Sequence, residues 1–207
     1  MSIPLAVREA ESESTVNPTL ETVYRLISDL FSHPETLDRS TVETTAAKAC
    51  AALREENSLA AAEALEQFLT EIWEISPDVY LATLELTPAS PLYMGHYAFD
   101  TPASCAGLGF SERNGYMIEL INLYRHFGFA VDHGELPDFL PAMVEFLWLS
   151  LDRPEELRQK FISEYLLPYL PSLMESLQKT ESPYLHLVKA LELTAKADMG
   201  CLSIGGD

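Results

Sequence analysis

The sequence predicts an all-α, single-domain helical bundle, and three observations predict it. Apolar residues recur three and four apart along most of the chain, the spacing of one helix face. Caps, first-turn prolines and a post-helix glycine punctuate those runs at helix-like intervals. No stretch alternates apolar and polar residues over a strand's length, so no strand is expected. At 207 residues the chain suffices for one domain with a well-buried core.

Residues 1–17 are expected to be a loose acidic tail, because Glu11, Ser12, Glu13 and Ser14 offer nothing to bury. The helical domain is expected over 18–198, with a second flexible tail over 199–207. A first helix begins near Pro18 or Thr19, carries Val23, Leu26, Ile27, Leu30 and Phe31 at helical spacing, and ends at His33-Pro34. A second, Ala-rich helix runs from about Ser40 to Arg54. Asn57-Ser58 then caps a third over Leu59 to Ile75, striped by Leu65, Phe68, Leu69, Ile72 and Trp73. Ser76-Pro77 is a cap and first-turn pair for a short fourth helix reaching about Leu86.

Residues 87–112 break the pattern, with prolines, glycines and the aromatics Tyr93, Tyr97, Phe99 and Phe110. A stretch of that length without periodicity is functional or a packed connection, and its aromatics argue against disorder. Ser111 or Asn114 caps the next helix, which ends near His126 with Gly128 as the residue after its cap. The run DHGELPDFLPAMVEFLWLSL, Asp132 to Leu151, opens with an acidic, His-bearing turn and continues as a helix apolar on nearly every face. Such a helix belongs in a core; it is too short for the roughly 20 residues of a bilayer span, and Glu145 interrupts it. Asp152-Arg153-Pro154-Glu155-Glu156 reads as a helix start, with acids facing the positive end of the dipole. Pro168 and Pro171 must break or kink the chain beyond that start, and Glu181-Ser182-Pro183 opens a last helix to about Ala197.

Thirteen Lys plus Arg against 32 Asp plus Glu give a net charge of −19. That balance excludes phosphate-backbone binding, which needs clustered cations, and opposes an anionic membrane surface. It keeps the chain in solution and attracts basic partners. Cys50, Cys105 and Cys201 are odd in number and form no CxxC pair, which points to neither a disulfide framework nor zinc. The start lacks a signal peptide's apolar run and no stretch is a transmembrane helix, so a cytoplasmic protein without membrane insertion is expected.

Three chemistries compete for the acidic turn. Metal binding would use Asp132, His133, Glu135 and Asp138 with His96, yet no HExxH or paired i, i+4 histidines exist. Catalysis by an Asp132-His133 acid–base pair is the second, and no nucleophile motif or phosphate-binding glycine loop supports it. The third is peptide binding: carboxylates beside apolar surface suit a ligand with a basic end followed by an apolar stretch. Spacing alone favours helix capping for Asp132 and a surface role for His133.

Several separated motifs add to this. Gly134 to Leu147, GELPDFLPAMVEFL, is similar to an ELPD-x-LP-x-x-LEF motif; Leu92 to Tyr97, LYMGHY, is similar to an LYL-x-x-Y element; and Tyr124 to Phe129, YRHFGF, to a Y-x-x-x-GF helix end. LLPYLPSL at Leu166 to Leu173 and Ser182-Pro183-Tyr184 match two later elements. In this order the motifs, over about Asp78 to Ala197, resemble the TorD/DmsD/NarJ family of cytoplasmic molybdoenzyme chaperones, the most specific of them being similar to its nitrate reductase delta-subunit branch. The segment AFDTPASCAGLGFSERN departs from that branch's Arg-rich stretch. It places the chain nearer the delta-type chaperones of periplasmic dehydrogenases and reductases, such as those for ethylbenzene, dimethyl sulfide, selenate or chlorate.

The resemblance implies an all-helical TorD/NarJ-like domain that is not an enzyme and carries no cofactor of its own. Its implied partner is the apo catalytic subunit of a molybdopterin-dependent dehydrogenase or reductase. The contact is that subunit's N-terminal region, a twin-arginine signal peptide or its remnant, held until the molybdenum cofactor is inserted and export can begin. The twin-arginine export machinery is a further implied partner. Asp132-His133 falls where the TorD and DmsD branches carry an Asp-His pair linked to signal-peptide binding. Asp132, His133, Glu135 and Asp138 are thus expected to meet the basic part of the peptide, and Tyr93, His96 and Tyr97 to line the adjoining apolar groove. The alternative is a small helical metalloenzyme built on His96, His133 and nearby carboxylates.

Overall fold

Helix α1, Pro18–Leu30, shows how closely local chemistry sets the elements. Asn17 accepts hydrogen bonds from the Thr19 and Leu20 N–H groups at 2.9 and 3.2 Å, satisfying donors that a helix start leaves orphaned, and Pro18 occupies the first turn. Its buried face is Leu20, Val23, Tyr24, Leu26, Ile27 and Leu30. The computed structural model describes residues 5–6, 16–99, 112–132, 134–153 and 156–202. Among them the architecture is all-α, as expected from the periodicity.

After a short 3-10 turn at Pro34–Thr36, Asp38 caps α2, Arg39–Glu55, by accepting from Thr41 N–H at 2.8 Å. Helix α3, Leu59–Glu71, ends four residues before the expected Ile75 and tightens into a 3-10 turn over Ile72–Glu74. Ser76 caps α4, Pro77–Tyr80, which widens into a π turn over Leu81–Glu85. Within the irregular stretch lies a four-residue helix, α5, Gly95–Ala98. Residues 100–111, with Cys105 and the candidate cap Ser111, lie outside the described residues. Helix α6 is Glu112–His126, and Gly128 adopts φ +83 just past it, the left-handed conformation that suits glycine.

The central apolar run becomes α7, Leu140–Leu149, with Pro141 in its first turn and Leu140 to Leu147 all buried. Helix α8, Glu156–Lys160, leads into a π turn over Phe161–Leu166; the chain breaks at Pro168 and restarts as α9, Leu170–Lys179, with Pro171 in its first turn. Each proline lacks the N–H that a continuing helix needs, which explains the break. Helix α10, Tyr184–Leu202, packs on α3 and α9, while α1 packs on α7, α2 and α10.

Three expectations are corrected. The C-terminal tail expected from residue 199 is still helical to Leu202. The N-terminal tail expected over 1–17 contains β1, Leu5–Ala6. That strand pairs antiparallel with β2, Ala130–Val131, although no strand was expected. Two residues per strand carry no alternation long enough to detect. Cys50 is buried as a free thiol whose pKa burial pushes up to about 11, which disfavours the thiolate. Among the described residues no helix is long and apolar enough to cross a membrane.

Inside the bundle the most polar feature is a satisfied ion pair. Arg158 and Asp198 are 1 % and 2 % exposed and meet in a two-pronged contact, Nη1 to Oδ1 at 3.0 Å and Nη2 to Oδ2 at 2.7 Å. Arg158 also donates to Ser150 Oγ at 3.1 Å and to the Leu147 carbonyl at 3.0 Å, and the Tyr24 hydroxyl donates to Asp198 Oδ2 at 2.9 Å. One guanidinium thereby joins α7, α8, α10 and α1.

Candidate functional site

The turn between α6 and α7 is built from backbone chemistry first. Gly128 N–H donates to the Arg125 carbonyl at 3.0 Å and Phe129 N–H to the Tyr124 carbonyl at 2.9 Å, closing α6 and reversing the chain into β2. Gly134 sits at φ +104, where no Cβ would meet a neighbour, so its freedom is conformational. Glu135 N–H donates to the Asp132 carbonyl at 3.2 Å, and Glu135 Oε1 accepts from Leu136 N–H at 2.8 Å. The buried Tyr124 hydroxyl donates to the Pro137 carbonyl at 2.8 Å and so fastens the turn to α6.

The irregular segment before α5 holds the other side. Met94 N–H donates to the Asp138 carbonyl at 2.9 Å, and Leu140 N–H donates to the Leu92 carbonyl at 2.7 Å, making an isolated antiparallel bridge at Tyr93 and Phe139. Their rings lie 5.3 Å apart. The Tyr93 hydroxyl donates to Glu135 Oε1 at 3.1 Å; burial first, then the Glu135 charge, pushes its pKa up to about 12. Two of the sequence motifs, LYMGHY and GELPDFL, are therefore bonded to each other.

Asp138 corrects one expectation. It is fully buried, and its Oδ2 accepts from Gly95 N–H at 2.8 Å while Oδ1 has no hydrogen-bond partner among the described residues. It holds the LYMGHY segment in place and is not exposed to a ligand. A Cβ on Gly95 would stand 2.7 Å from Asp138 Oδ2 and 3.3 Å from Arg113 Nε, so only glycine allows this approach. Burial raises the Asp138 pKa, against the opposing pull of the Gly95 N–H and the Arg113 guanidinium. An acid whose folded pKa is raised gives stability that is fully present below its unfolded pKa and is lost as pH rises through the folded one. Asp138→Asn keeps the acceptor for Gly95 and removes the charge. Its stability advantage over the wild type is expected to grow from about pH 4 to about pH 7, as read by urea denaturation. An advantage that is constant or reversed over that range would contradict the assignment.

Beside the turn lies a cleft of about 290 Å³ lined by Ile121, Tyr124, Arg125, Phe129, Ala130, Val131, Asp132, Gly134, Glu135 and Pro137. Two expected residues, Asp132 and Glu135, line it; Asp132 is exposed and Glu135 half-buried. They outnumber the single guanidinium of Arg125, so the mouth is net acidic, and Ile121, Phe129 and Val131 supply apolar wall.

Tyr93, His96 and Tyr97 are not among its lining residues. Tyr93 reaches the site through Glu135, His96 is exposed on α5, and the Tyr97 hydroxyl faces Ser176 of α9. His133 lies outside the described residues. Among those described, no group of three or more His, Cys, Asp or Glu side chains is close enough to hold a metal ion. The residues that sequence reasoning missed are Arg113, Ile121, Tyr124 and Phe129. Tyr124 and Phe129 stand in YRHFGF, and that motif was the available signal.

Fold and site together define a helical protein with an acid-rimmed, apolar-walled cleft at one helix junction. No protein-family model matches the chain, and no curated protein matches it.

Proposed function

We propose that this chain is a molybdoenzyme-maturation chaperone of the TorD/NarJ type, acting in the cytoplasm and without catalysis of its own. Its ligand is the basic N-terminal region of an apo catalytic subunit, twin-arginine or similar, held while the molybdenum cofactor is inserted. The observation that carries this reading is Asp132 and Glu135 at the mouth of a cleft walled by Ile121, Phe129 and Val131. Guanidinium groups pair strongly with carboxylates, often two-pronged, and an apolar stretch that follows them finds matching wall beside the acids. His133, adjacent to Asp132, belongs to the proposed contact set. Asp138 and Tyr93 act through the turn, Asp138 by anchoring Gly95 and Tyr93 by holding Glu135.

The reading is tested by calorimetric titration of a synthetic peptide with paired arginines followed by a leucine- and alanine-rich stretch. Asp132→Lys is expected to weaken binding about tenfold or more, the worth of a charge-assisted hydrogen bond, with an unchanged unfolding midpoint. Wild-type affinity is expected to fall with added salt, because exposed charge pairs are screened within about 8 Å at physiological ionic strength. Affinity indifferent to both changes would refute the assignment.

A further inference from the structure

Ala130 and Val131 have two roles at once: they form β2 and they line the acidic cleft. Their strand edge is taken by the chain's own N-terminal segment, with Leu5 opposite Val131 and Ala6 opposite Ala130. Among the described residues the sheet consists of these two strands alone. Each strand offers only two residues to the pair, so few main-chain bonds hold β1 there besides its packing on α7, and an extended segment that makes more of them would displace it. A strand edge offers unpaired N–H and C=O groups that any extended segment can take. Strand addition of this kind draws affinity from main-chain bonds and specificity from alternate side chains.

The composition of the segment bears on what else could take that edge. Pro4-Leu5-Ala6-Val7-Arg8 joins apolar residues to a cation, in a chain with only 13 Lys and Arg among 207 residues. Those are the two features that the cleft offers surface to, Ile121, Phe129 and Val131 for the apolar part and Asp132 and Glu135 for the cation.

We propose that a peptide ligand binds by adding as a strand to Ala130–Val131, and that Leu5–Ala6 is a built-in competitor for that edge. The inference rests on the reading of the cleft as a peptide site. The N-terminal segment then lowers apparent affinity by the fraction of time the edge is closed. It also keeps the edge from pairing with unrelated extended segments, a recognised hazard of open strands.

The test uses the whole 207-residue chain. Leu5→Pro/Ala6→Pro removes both N–H groups, so whichever of them faces β2 is lost, and neither residue belongs to a helix. The synthetic peptide with paired arginines is titrated calorimetrically into wild type and variant. Amide hydrogen exchange at Ala130 and Val131 is followed with and without it. The variant is expected to bind roughly fivefold tighter, the occupancy that about one net backbone hydrogen bond provides. Its Ala130 or Val131 amide is expected to exchange faster when free and to regain protection when bound. Equal or weaker affinity in the variant, or no protection on binding, overturns strand competition while leaving the cleft as a peptide site. Binding by neither form overturns the peptide reading, and the competitor with it.

Discussion

Replacing Arg158 by Met is expected to lower unfolding free energy by about 3–5 kcal/mol, the cost of leaving a buried charge without its counterion. Arg158 and Asp198 are almost wholly removed from water, and their pairing meets the polar demands of both side chains. Met fills much of the volume but leaves the Asp198 carboxylate, among the described residues, with the Tyr24 hydroxyl alone. It also strips a donor from Ser150 Oγ and from the Leu147 carbonyl. Arg158→Met/Asp198→Leu is expected to recover a large part of the loss, because both desolvated charges are gone and apolar replacements of buried pairs are often close to neutral. Urea denaturation with an unchanged m value reads this directly. A single-variant cost below about 1 kcal/mol would place the pair in a solvated setting and contradict the geometry.

Phe146→Ala carries the second large effect, again about 3–5 kcal/mol, from lost transfer energy and the cavity that remains. Its ring is fully buried on α7. Ring centroids of Phe161, Phe127, Tyr124 and Phe129 lie 4.6, 5.1, 5.2 and 6.0 Å away. Two of those neighbours, Tyr124 and Phe129, also line the cleft. The truncation is therefore expected to lower the unfolding midpoint and weaken peptide binding together, whereas Phe146→Leu retains most of the volume and most of both properties. Circular dichroism melting beside peptide titration checks the pairing of the two effects. Loss of stability with wholly unchanged peptide affinity would uncouple α7 from the cleft.

The helices were legible wherever chemistry is local. Pro18, Ser76-Pro77 and Gly128 mark boundaries with groups that cap, pre-set or terminate a helix within a few residues, and the structure uses each of them in that way, with Asn17 added as the cap of α1. The apolar run of α7 announced burial because no face of it could be offered to water. Through-space relations were another matter. Asp138 reads as one acid among several in an exposed turn, and its inward direction is decided by the Gly95 N–H, 43 residues earlier. Arg158 stands three residues before Phe161 and four before Ile162, yet a charged residue in a short helix start does not announce burial. Nothing local pointed to Asp198, 40 residues on, as its partner.

The candidate site divides along the same line. The acidic turn was visible as composition, and Asp132 and Glu135 do meet at one cleft. Aromatics in an irregular segment invite a reading as apolar wall, which is why Tyr93, His96 and Tyr97 were expected there. The folded chain instead supplies the wall from α6 and β2, while Tyr97 turns toward α9. The β1–β2 pairing had no sequence period at all, since two residues cannot show one.

The proposed role of the acidic rim is to recognise a basic peptide. Calorimetric titration of the paired-arginine peptide into wild type and into Asp132→Lys/Glu135→Lys tests it most directly. The predicted result is saturable, salt-sensitive binding to the wild type. The reversed rim should bind at least about a hundredfold more weakly, two charge-assisted contacts having been lost and replaced by repulsion. Equal affinity for the two proteins, with both folded, would contradict it.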